Sequence, residues 1–149
     1  MLIDSFCVLD VAVCSPRATA LEAAQIMRRK HTGDLVVVDD DQVNPVGVIT
    51  DRDIVLEVLA KGLDPAQTTV GSLIGTPVVI AHSHEDSTAV LERMRVHGVR
   101  RVPVVGNEGR LAGIVTVDDM LKRLAADASL LMEIVAKGQC HETRTRRTA

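Results

Sequence analysis

The sequence predicts an α/β fold made of two tandem β-α-β-β-α repeats related by a pseudo-two-fold axis. Residues 47–53 recur 66 residues later as residues 113–119, and both copies read Gly, two apolar residues, Thr, two further residues and Asp. Residues 35–38 also recur, 67 residues later, as the apolar run 102–105. Ordered recurrence of several segments is typical of duplicated folding units, and the one-residue change in spacing falls in a predicted turn.

Each repeat opens with a short extended segment, residues 11–13 or 78–80, and continues into an amphipathic helix. The first helix is predicted over residues 20–30, with Thr19 and Glu22 spaced as a capping box. Its counterpart is predicted over about residues 88–97.

Two strands and a second helix complete each repeat. The strands at residues 35–38 and 46–49 are apolar almost throughout, which is typical of strands covered on both faces. The second helices begin after Thr50 and Thr116, and the first of them ends near Gly62. The predicted boundaries are 7–62 for repeat 1, 63–77 for a packed connector, 78–125 for repeat 2, 126–138 for a C-terminal helix extension and 139–149 for a polar tail expected to be disordered.

Composition restricts the classes of partner. The chain has one Phe and no Trp or Tyr, so the walls of a ligand site must be aliphatic, and single-stranded nucleic acid lacks its usual stacking platforms. A net charge of -3 gives no basic field toward nucleic acid or anionic lipid. No apolar run approaches the roughly 20 residues of a membrane span. The three cysteines form no C-x-x-C pair and no secretory start is visible, so we expect a reducing cytoplasm.

The recurring motifs resemble those of the cystathionine-β-synthase (CBS) domain. The resemblance rests on the β-α-β-β-α order, the strand containing Pro103 and the Gly-h-h-Thr-x-x-Asp pattern, and it covers about residues 7–125. Two such domains in one chain resemble a Bateman module. Residues 50–55 and 62–65 are similar to small stand-alone bacterial CBS pairs of the hypoxic response type. The resemblance implies a non-catalytic module that binds AMP, ADP, ATP or a related adenosyl ligand as a regulatory ligand and controls a partner protein.

The Thr-x-x-Asp spacing places a hydroxyl and a carboxylate at the start of a helix, where a carboxylate can accept hydrogen bonds from ribose hydroxyls. The resemblance assigns ligand contact to Thr50 and Asp53 in repeat 1 and to Thr116 and Asp119 in repeat 2. The same spacing also serves as a helix cap with no further role.

Phosphate contact is expected from arginines. By the resemblance, Arg100 and Arg101 supply cations, whose guanidinium donors suit phosphate oxygens. A surface ion pair is the alternative role for both. Repeat 1 has Gly33 and Asp34 at these positions, so two equivalent sites are not expected. Arg52 could also reach a phosphate, or remain a solvated surface side chain.

The resemblance places the adenine against Val13 and Cys14 in one repeat and against Val79 and Ile80 in the other. Ordinary core packing is the alternative role for these four residues.

The sequence favours binding over catalysis or metal chemistry. No nucleophile-base arrangement, P-loop or Gly-x-Gly-x-x-Gly pattern is present, and we expect no enzyme activity. Cys7, Cys14, His82 and His84 lack zinc-ligand spacing, which leaves a metal or redox sensor as a minor alternative. A scaffold that has kept the fold and lost the ligand is the main rival. We also expect a homodimer, because the last helix carries surplus apolar residues: Leu121, Leu124, Leu131, Met132 and Val135.

Overall fold

The computed structural model describes residues 1–41, 43–75 and 77–147, with side chains described through residue 141. The chain divides into two compact units, Met1–Val115 and Thr116–Ala149. The first unit contains two three-stranded sheets, except for their last residue Thr116, and the helices that precede it, whereas the described part of the second unit is Thr116 and one long helix. The predicted α/β fold of two β-α-β-β-α repeats is confirmed.

Repeat 1 starts its first helix with the predicted capping box. The Thr19 hydroxyl accepts a hydrogen bond from the Glu22 N–H at 3.2 Å, and the Glu22 carboxylate accepts one from the Thr19 N–H at 2.8 Å. The first strand pairs in parallel with the second, and the second pairs antiparallel with the third. The elements are β1 (Val13–Cys14), α1 (Ala20–Lys30), β2 (Asp34–Val38), β3 (Pro45–Thr50), α2 (Asp51–Ile54) and a π-helical turn (Val55–Leu59).

Repeat 2 reproduces this order with different caps. The Asp86 carboxylate accepts a hydrogen bond from the Thr88 N–H at 2.9 Å, and Gly98 ends the helix in the left-handed conformation at φ 64°. The strand order is again that of repeat 1, with a parallel first pair. The elements are β4 (Ala81–His82), α3 (Ser87–His97), β5 (Arg101–Val105) and β6 (Leu111–Thr116).

The central strand of repeat 1 is covered on both faces, as its apolar run predicts. Leu35 and Val37 pack with the residues of α1 in one core cluster. Val36 and Val38 face the other way and pack against Ile114 of repeat 2. The alternation along β2 therefore joins the core of repeat 1 to the contact between the repeats.

The opening strands differ from the prediction. They were expected at residues 11–13 and 78–80, but the paired residues are Val13–Cys14 and Ala81–His82. Pairing is limited to the residues that lie beside β2 or β5 in register, for example Cys14 beside Val37. The apolar residues 78–80 lie before the strand and line cavities instead.

Two short segments are exchanged between the repeats: each leads into one repeat in sequence but packs against the other. The 3₁₀ helix at Ile3–Phe6 precedes repeat 1, but the Ile3 N–H donates to the Glu85 carbonyl of repeat 2 at 2.9 Å. The 3₁₀ helix at Val70–Ser72 precedes repeat 2, but the Val70 N–H donates to the Ala18 carbonyl of repeat 1 at 2.8 Å. Ile3 and Val70 are both fully buried. Each repeat is thus covered by the segment that leads into the other one.

The residues that follow the two exchanged segments pack closely against a glycine in each repeat. A Cβ on Gly47 would lie 2.7 Å from Ile74 Cδ1, which belongs to the connector. A Cβ on Gly113 would overlap Cys7 Sγ and lie 2.7 Å from the Val8 carbonyl oxygen. The glycine that opens each recurring motif is therefore explained by close backbone approach.

The second unit contains α4 (Val117–Arg147). This helix continues through residue 147, into the segment 139–149 that the sequence predicts to be a disordered tail, and residues 148 and 149 lie outside the described part of the chain. No proline follows Gly138, and Gln, Glu and Arg are good helix formers, so an established helix extends at little cost. None of the described helices combines the length and apolar content needed to cross a bilayer.

Candidate ligand-binding site

The Thr-x-x-Asp motif of repeat 1 forms a complete capping box. Thr50 Oγ1 accepts a hydrogen bond from the Asp53 N–H at 3.1 Å. The Thr50 N–H and hydroxyl both donate to Asp53 Oδ2 at 2.8 Å. Asp53 Oδ1 accepts no hydrogen bond from the described residues. Capping and ligand contact are therefore compatible, because capping uses only one carboxylate oxygen.

The motif of repeat 2 has an additional partner. The Thr116 hydroxyl donates to Asp119 Oδ2 at 2.7 Å, and Thr116 Oγ1 accepts from the Asp119 N–H at 3.1 Å. Lys122 Nζ donates to Asp119 Oδ1 at 3.2 Å. The hydrogen bond from Thr116 lowers the pKa of Asp119, with Lys122 adding to the effect and burial opposing it. Repeat 1 has Leu56 where repeat 2 has Lys122, so the first motif lacks a cation at the equivalent position.

The two predicted phosphate-binding arginines lie in different environments. Arg100 is exposed and makes no ion pair with any described residue. Arg101 is only 25% exposed, and its Nε lies 2.5 Å from Asp34 Oδ2. Asp34 and Arg101 occupy equivalent positions, at the first residues of β2 and β5. Arg52 is also exposed, and the structure gives its side chain no ion pair among the described residues.

Two cavities lie along the residues that lead into β4, in the first unit. One has a volume of about 510 Å³ and the other about 330 Å³, within the size range of small-molecule sites. Pro77, Val78, Val79 and His97 line both of them. The smaller cavity also includes Val48, Gly75, Val99 and Arg101, and the larger one includes Ile80, His82, Glu85 and Arg93.

These cavities bring together some of the predicted adenine and phosphate residues. Val79 lies in both cavities, Ile80 in the larger and Arg101 in the smaller. Val13 and Cys14 line neither: Val13 is 37% exposed, and Cys14 is buried against the core of repeat 1 and lines a separate cavity beside α1.

His97 is a cavity residue that the sequence reasoning missed. Its Nδ1 lies 2.9 Å from the Arg93 carbonyl oxygen, which can only accept, so Nδ1 carries the proton and Nε2 is an acceptor in the neutral ring. The available signal was its position at the end of α3, four residues before Arg101. A position at the end of a helix does not by itself tell a cavity-lining histidine from one that faces solvent.

The larger cavity has a polar wall that is specific to repeat 2. The Arg93 guanidinium donates to the Ile80 carbonyl and to Glu85 Oε2, both at 2.7 Å. Burial opposes ionisation of Glu85, but hydrogen bonds from Arg93 and the His82 N–H outweigh it and lower the pKa of this carboxyl. Repeat 1 has Ala18 and Ile26 at the positions of Glu85 and Arg93, so its equivalent groove lacks this ion pair.

The residues weighed for metal or redox chemistry are dispersed. Burial raises the pKa of the Cys14 thiol to about 11 and also raises the pKa of Cys7, so both thiols stay protonated at neutral pH. The His82 and His84 rings lie 5.8 Å apart. Within the described residues, no three His, Cys, Asp or Glu side chains cluster as metal ligands.

The profile of the CBS domain matches this sequence twice, over residues 3–60 and 70–126. The chain belongs to the CBS domain family. Both matches begin at the 3₁₀ segments that the two repeats exchange, Ile3–Phe6 and Val70–Ser72. This CBS pair therefore includes its exchanged segments as part of the family pattern.

Sequence relatives match both repeats over about three quarters of this chain. The CBS pair is 41% identical to hypoxic response protein 1 of Mycobacterium tuberculosis over 111 residues, which is 74% of this chain and 76% of that protein. It is 34% identical over 113 residues to an uncharacterized protein of Methanopyrus kandleri, covering 76% of this chain but only 57% of that protein.

Two solved structures share the fold closely. Hypoxic response protein I, crystallised with two coordinated zinc ions, superposes with a TM-score of 0.73 at 35% identity, over 82% of this chain and 98% of that chain. A CBS domain protein from Pyrobaculum aerophilum complexed with AMP gives a TM-score of 0.72 at 25% identity, over 85% and 99% of the two chains.

Proposed function

We propose that this CBS pair is a non-catalytic regulatory module that binds an adenosine nucleotide, of the AMP, ADP or ATP class, and changes the activity of a partner protein. One observation carries the proposal. The cavity of about 330 Å³ combines aliphatic walls, from Val48, Val78 and Val79, with the Arg101 guanidinium. Aliphatic walls suit a purine base in a chain without Trp or Tyr, and a guanidinium suits a phosphate. The AMP complex of the Pyrobaculum relative supports the same ligand class.

The ribose is assigned to the Thr-x-x-Asp motifs. In repeat 1, the Asp53 carboxylate keeps one oxygen outside the capping box, which suits a ribose hydroxyl. In repeat 2, Asp119 takes the same role by its position in the motif, and a ribose hydroxyl there shares Oδ1 with Lys122.

A ligand-free scaffold is the second candidate function, and the Asp34–Arg101 ion pair favours it. The charge of Arg101 is already neutralised by Asp34, the residue at the equivalent position of repeat 1, and so needs no phosphate to compensate it. This candidate predicts a folded protein whose stability does not respond to any adenosine compound.

A thermal-shift panel separates the two functions. AMP, ADP, ATP, S-adenosylmethionine and NAD are each added to the full chain, with cytidine monophosphate as the control for the base. A ligand that binds only the folded state adds about 2.7 kcal/mol of stability at one hundred times its Kd. A rise in Tm with an adenosine compound and none with cytidine monophosphate supports the sensor. No rise with any of the five compounds supports the scaffold.

We propose that the module works as a homodimer in the cytoplasm. All three cysteines are free, which suits a reducing compartment. On α4, Leu121, Leu124 and Leu131 recur at spacings of three and seven residues and are at least 49% exposed, so they form an apolar stripe that a second copy could cover.

Light scattering at micromolar concentration tests the dimer. Leu131→Lys places a charge in the stripe and should yield monomers. Ser129→Lys adds the same charge two residues away, on the opposite side of α4, and should leave the dimer intact. A monomeric wild-type chain contradicts the dimer.

A further inference from the structure

We infer that Asp34 competes with the ligand's phosphate for Arg101 and thereby sets how strongly this CBS pair distinguishes a nucleotide from its nucleoside. The inference rests on the proposed nucleotide function. It assigns to repeat 1 a residue that limits binding to a cavity lined largely by repeat 2.

The geometry of the ion pair is the first step. Arg101 Nε and Asp34 Oδ2 are 2.5 Å apart, and the two side chains are only 25% and 18% exposed. Attraction between partly buried charges is screened less than attraction between surface charges. By contrast, the Arg17–Asp40 pair on the same repeat is 81% and 58% exposed. The Asp34 carboxylate is therefore a strong local counter-ion for Arg101.

The position of Arg101 is the second step. The same side chain lines the cavity of about 330 Å³ together with Val78, Val79 and His97. Its Nη groups donate no hydrogen bond to any described residue, since the ion pair uses Nε. An anion in the cavity can reach those donors, but it meets the negative charge of Asp34 beside the same guanidinium.

The chain position of the two residues is the third step. Asp34 opens β2 and Arg101 opens β5, so the pair joins equivalent points of the two repeats. Asp51 of repeat 1 brings a second carboxylate close to this point. Its Oδ2 lies 3.1 Å from the position that a Cβ on Gly33, the neighbour of Asp34, would occupy. A phosphate that draws Arg101 away from Asp34 weakens an ion pair that links the two repeats. Ligand binding thereby changes the contact between the repeats.

Calorimetry with AMP and adenosine tests the competition. Asp34→Asn keeps the shape of the side chain and removes its charge. We expect AMP to bind about tenfold more tightly than to wild type, the scale of one charge-assisted contact, while adenosine affinity changes less than about twofold. Adding Arg101→Gln to Asp34→Asn should abolish the gain. Asp34→Ser provides a second neutral variant if the Asn variant does not fold.

Two controls address net charge and side-chain loss. Asp40→Asn removes one negative charge from an exposed pair and should leave AMP affinity unchanged. Asp34→Glu keeps a carboxylate and should preserve the wild-type ratio of AMP to adenosine affinity.

The outcomes separate the inference from the proposed function. Equal AMP affinity in wild type and Asp34→Asn, or equal gains for AMP and adenosine, overturns the inference and leaves nucleotide binding in place. Absence of AMP binding to both proteins overturns both. AMP binding that appears only in Asp34→Asn supports the competition directly.

Discussion

Repeat 1 and repeat 2 place different charges on nearly the same backbone. The central strands β2 and β5 have the same burial pattern, and α1 and α3 each have eleven residues. At the first residue of those strands, however, repeat 1 has an acid and repeat 2 a base. The pattern of apolar residues sets the fold, and it tolerates a reversal of charge at the edge of the core. Similar folding of two repeats is therefore no evidence for two similar binding sites.

The largest difference between the repeats is expected in the free energy of unfolding lost when the glycine of each motif is replaced by alanine. Gly113→Ala should destabilise the chain by about 3 kcal/mol, because the new methyl meets the Val8 carbonyl and the Cys7 sulfur. Gly47→Ala should cost less, about 1 to 2 kcal/mol, because its nearest contacts are with the Ile74 side chain, whose Cδ1 end can move although its Cβ, 3.0 Å away, is fixed to the backbone. Urea unfolding measures both. Gly75→Ala, which meets nothing within 4 Å, is the control. Equal costs at Gly47 and Gly113 would contradict this account of packing.

A smaller change in free energy, now of ligand binding, is expected when the aspartates of the two Thr-x-x-Asp motifs are replaced. Asp53→Ala and Asp119→Ala should each weaken binding of an adenosine ligand at their own site by about 1 to 3 kcal/mol. Calorimetry on folded variants gives the affinities, and thermal melting gives the loss of the cap. A lower Tm with unchanged affinity would reduce the motif to a helix cap.

The arginines of repeat 2 should make the binding free energy of AMP more favourable than that of adenosine by about 1.4 kcal/mol, which is a tenfold difference in affinity. Replacing both Arg100 and Arg101 with Gln should erase the preference for AMP and leave adenosine affinity nearly unchanged, because only the phosphate contact is lost. Titration with the two ligands measures the ratio. Parallel losses for both ligands would assign the pair to the fold, and no loss would place it outside the site.

The smallest expected effect is a pH dependence of stability that comes from Asp119 in the motif of repeat 2. The pKa of Asp119 is lower in the folded chain than its ordinary value of 3.8. Its stabilising contribution is therefore present above that ordinary value and is lost as pH falls through the lower folded pKa. Asp119→Asn should be less stable than wild type by less than about 1 kcal/mol at pH 6, and the gap should narrow below pH 4. Urea midpoints across this range measure it, and a gap that does not change with pH contradicts the assignment.

Much of the fold follows from local sequence patterns. The bounds of α1 match the prediction, because Thr19 and Glu22 mark its start and apolar spacing its length. The exchanged segments escaped prediction because Ile3–Phe6 and Val70–Ser72 are short and share little beyond a buried apolar residue and a serine. Their role depends on contacts far away in sequence.

The site could be predicted only in part. Repeat alignment identified the contrast between Asp34 and Arg101, but equivalence in sequence gives no distance, and the ion pair depends on how the two strands meet. The contribution of His97 likewise depends on the path of residues 77–79 beside α3. Motifs predict which residues bear charge, whereas tertiary packing decides which of those charges are already neutralised.

The exchange of the 3₁₀ segments has a consequence for the ancestry of the module. A chain of residues 1–62 contains an arm whose docking surface, near Glu85, lies in the other repeat. Two single-repeat chains could satisfy each other by swapping arms, and joining the end of one to the start of the other would then reproduce the present connectivity. The pair has the geometry of an arm-exchanged dimer made permanent by fusion. In the present chain the reciprocal contacts rest on buried apolar residues, Ile3 and Val70, and on backbone hydrogen bonds, and so do not depend on the side-chain charges that differ between the repeats.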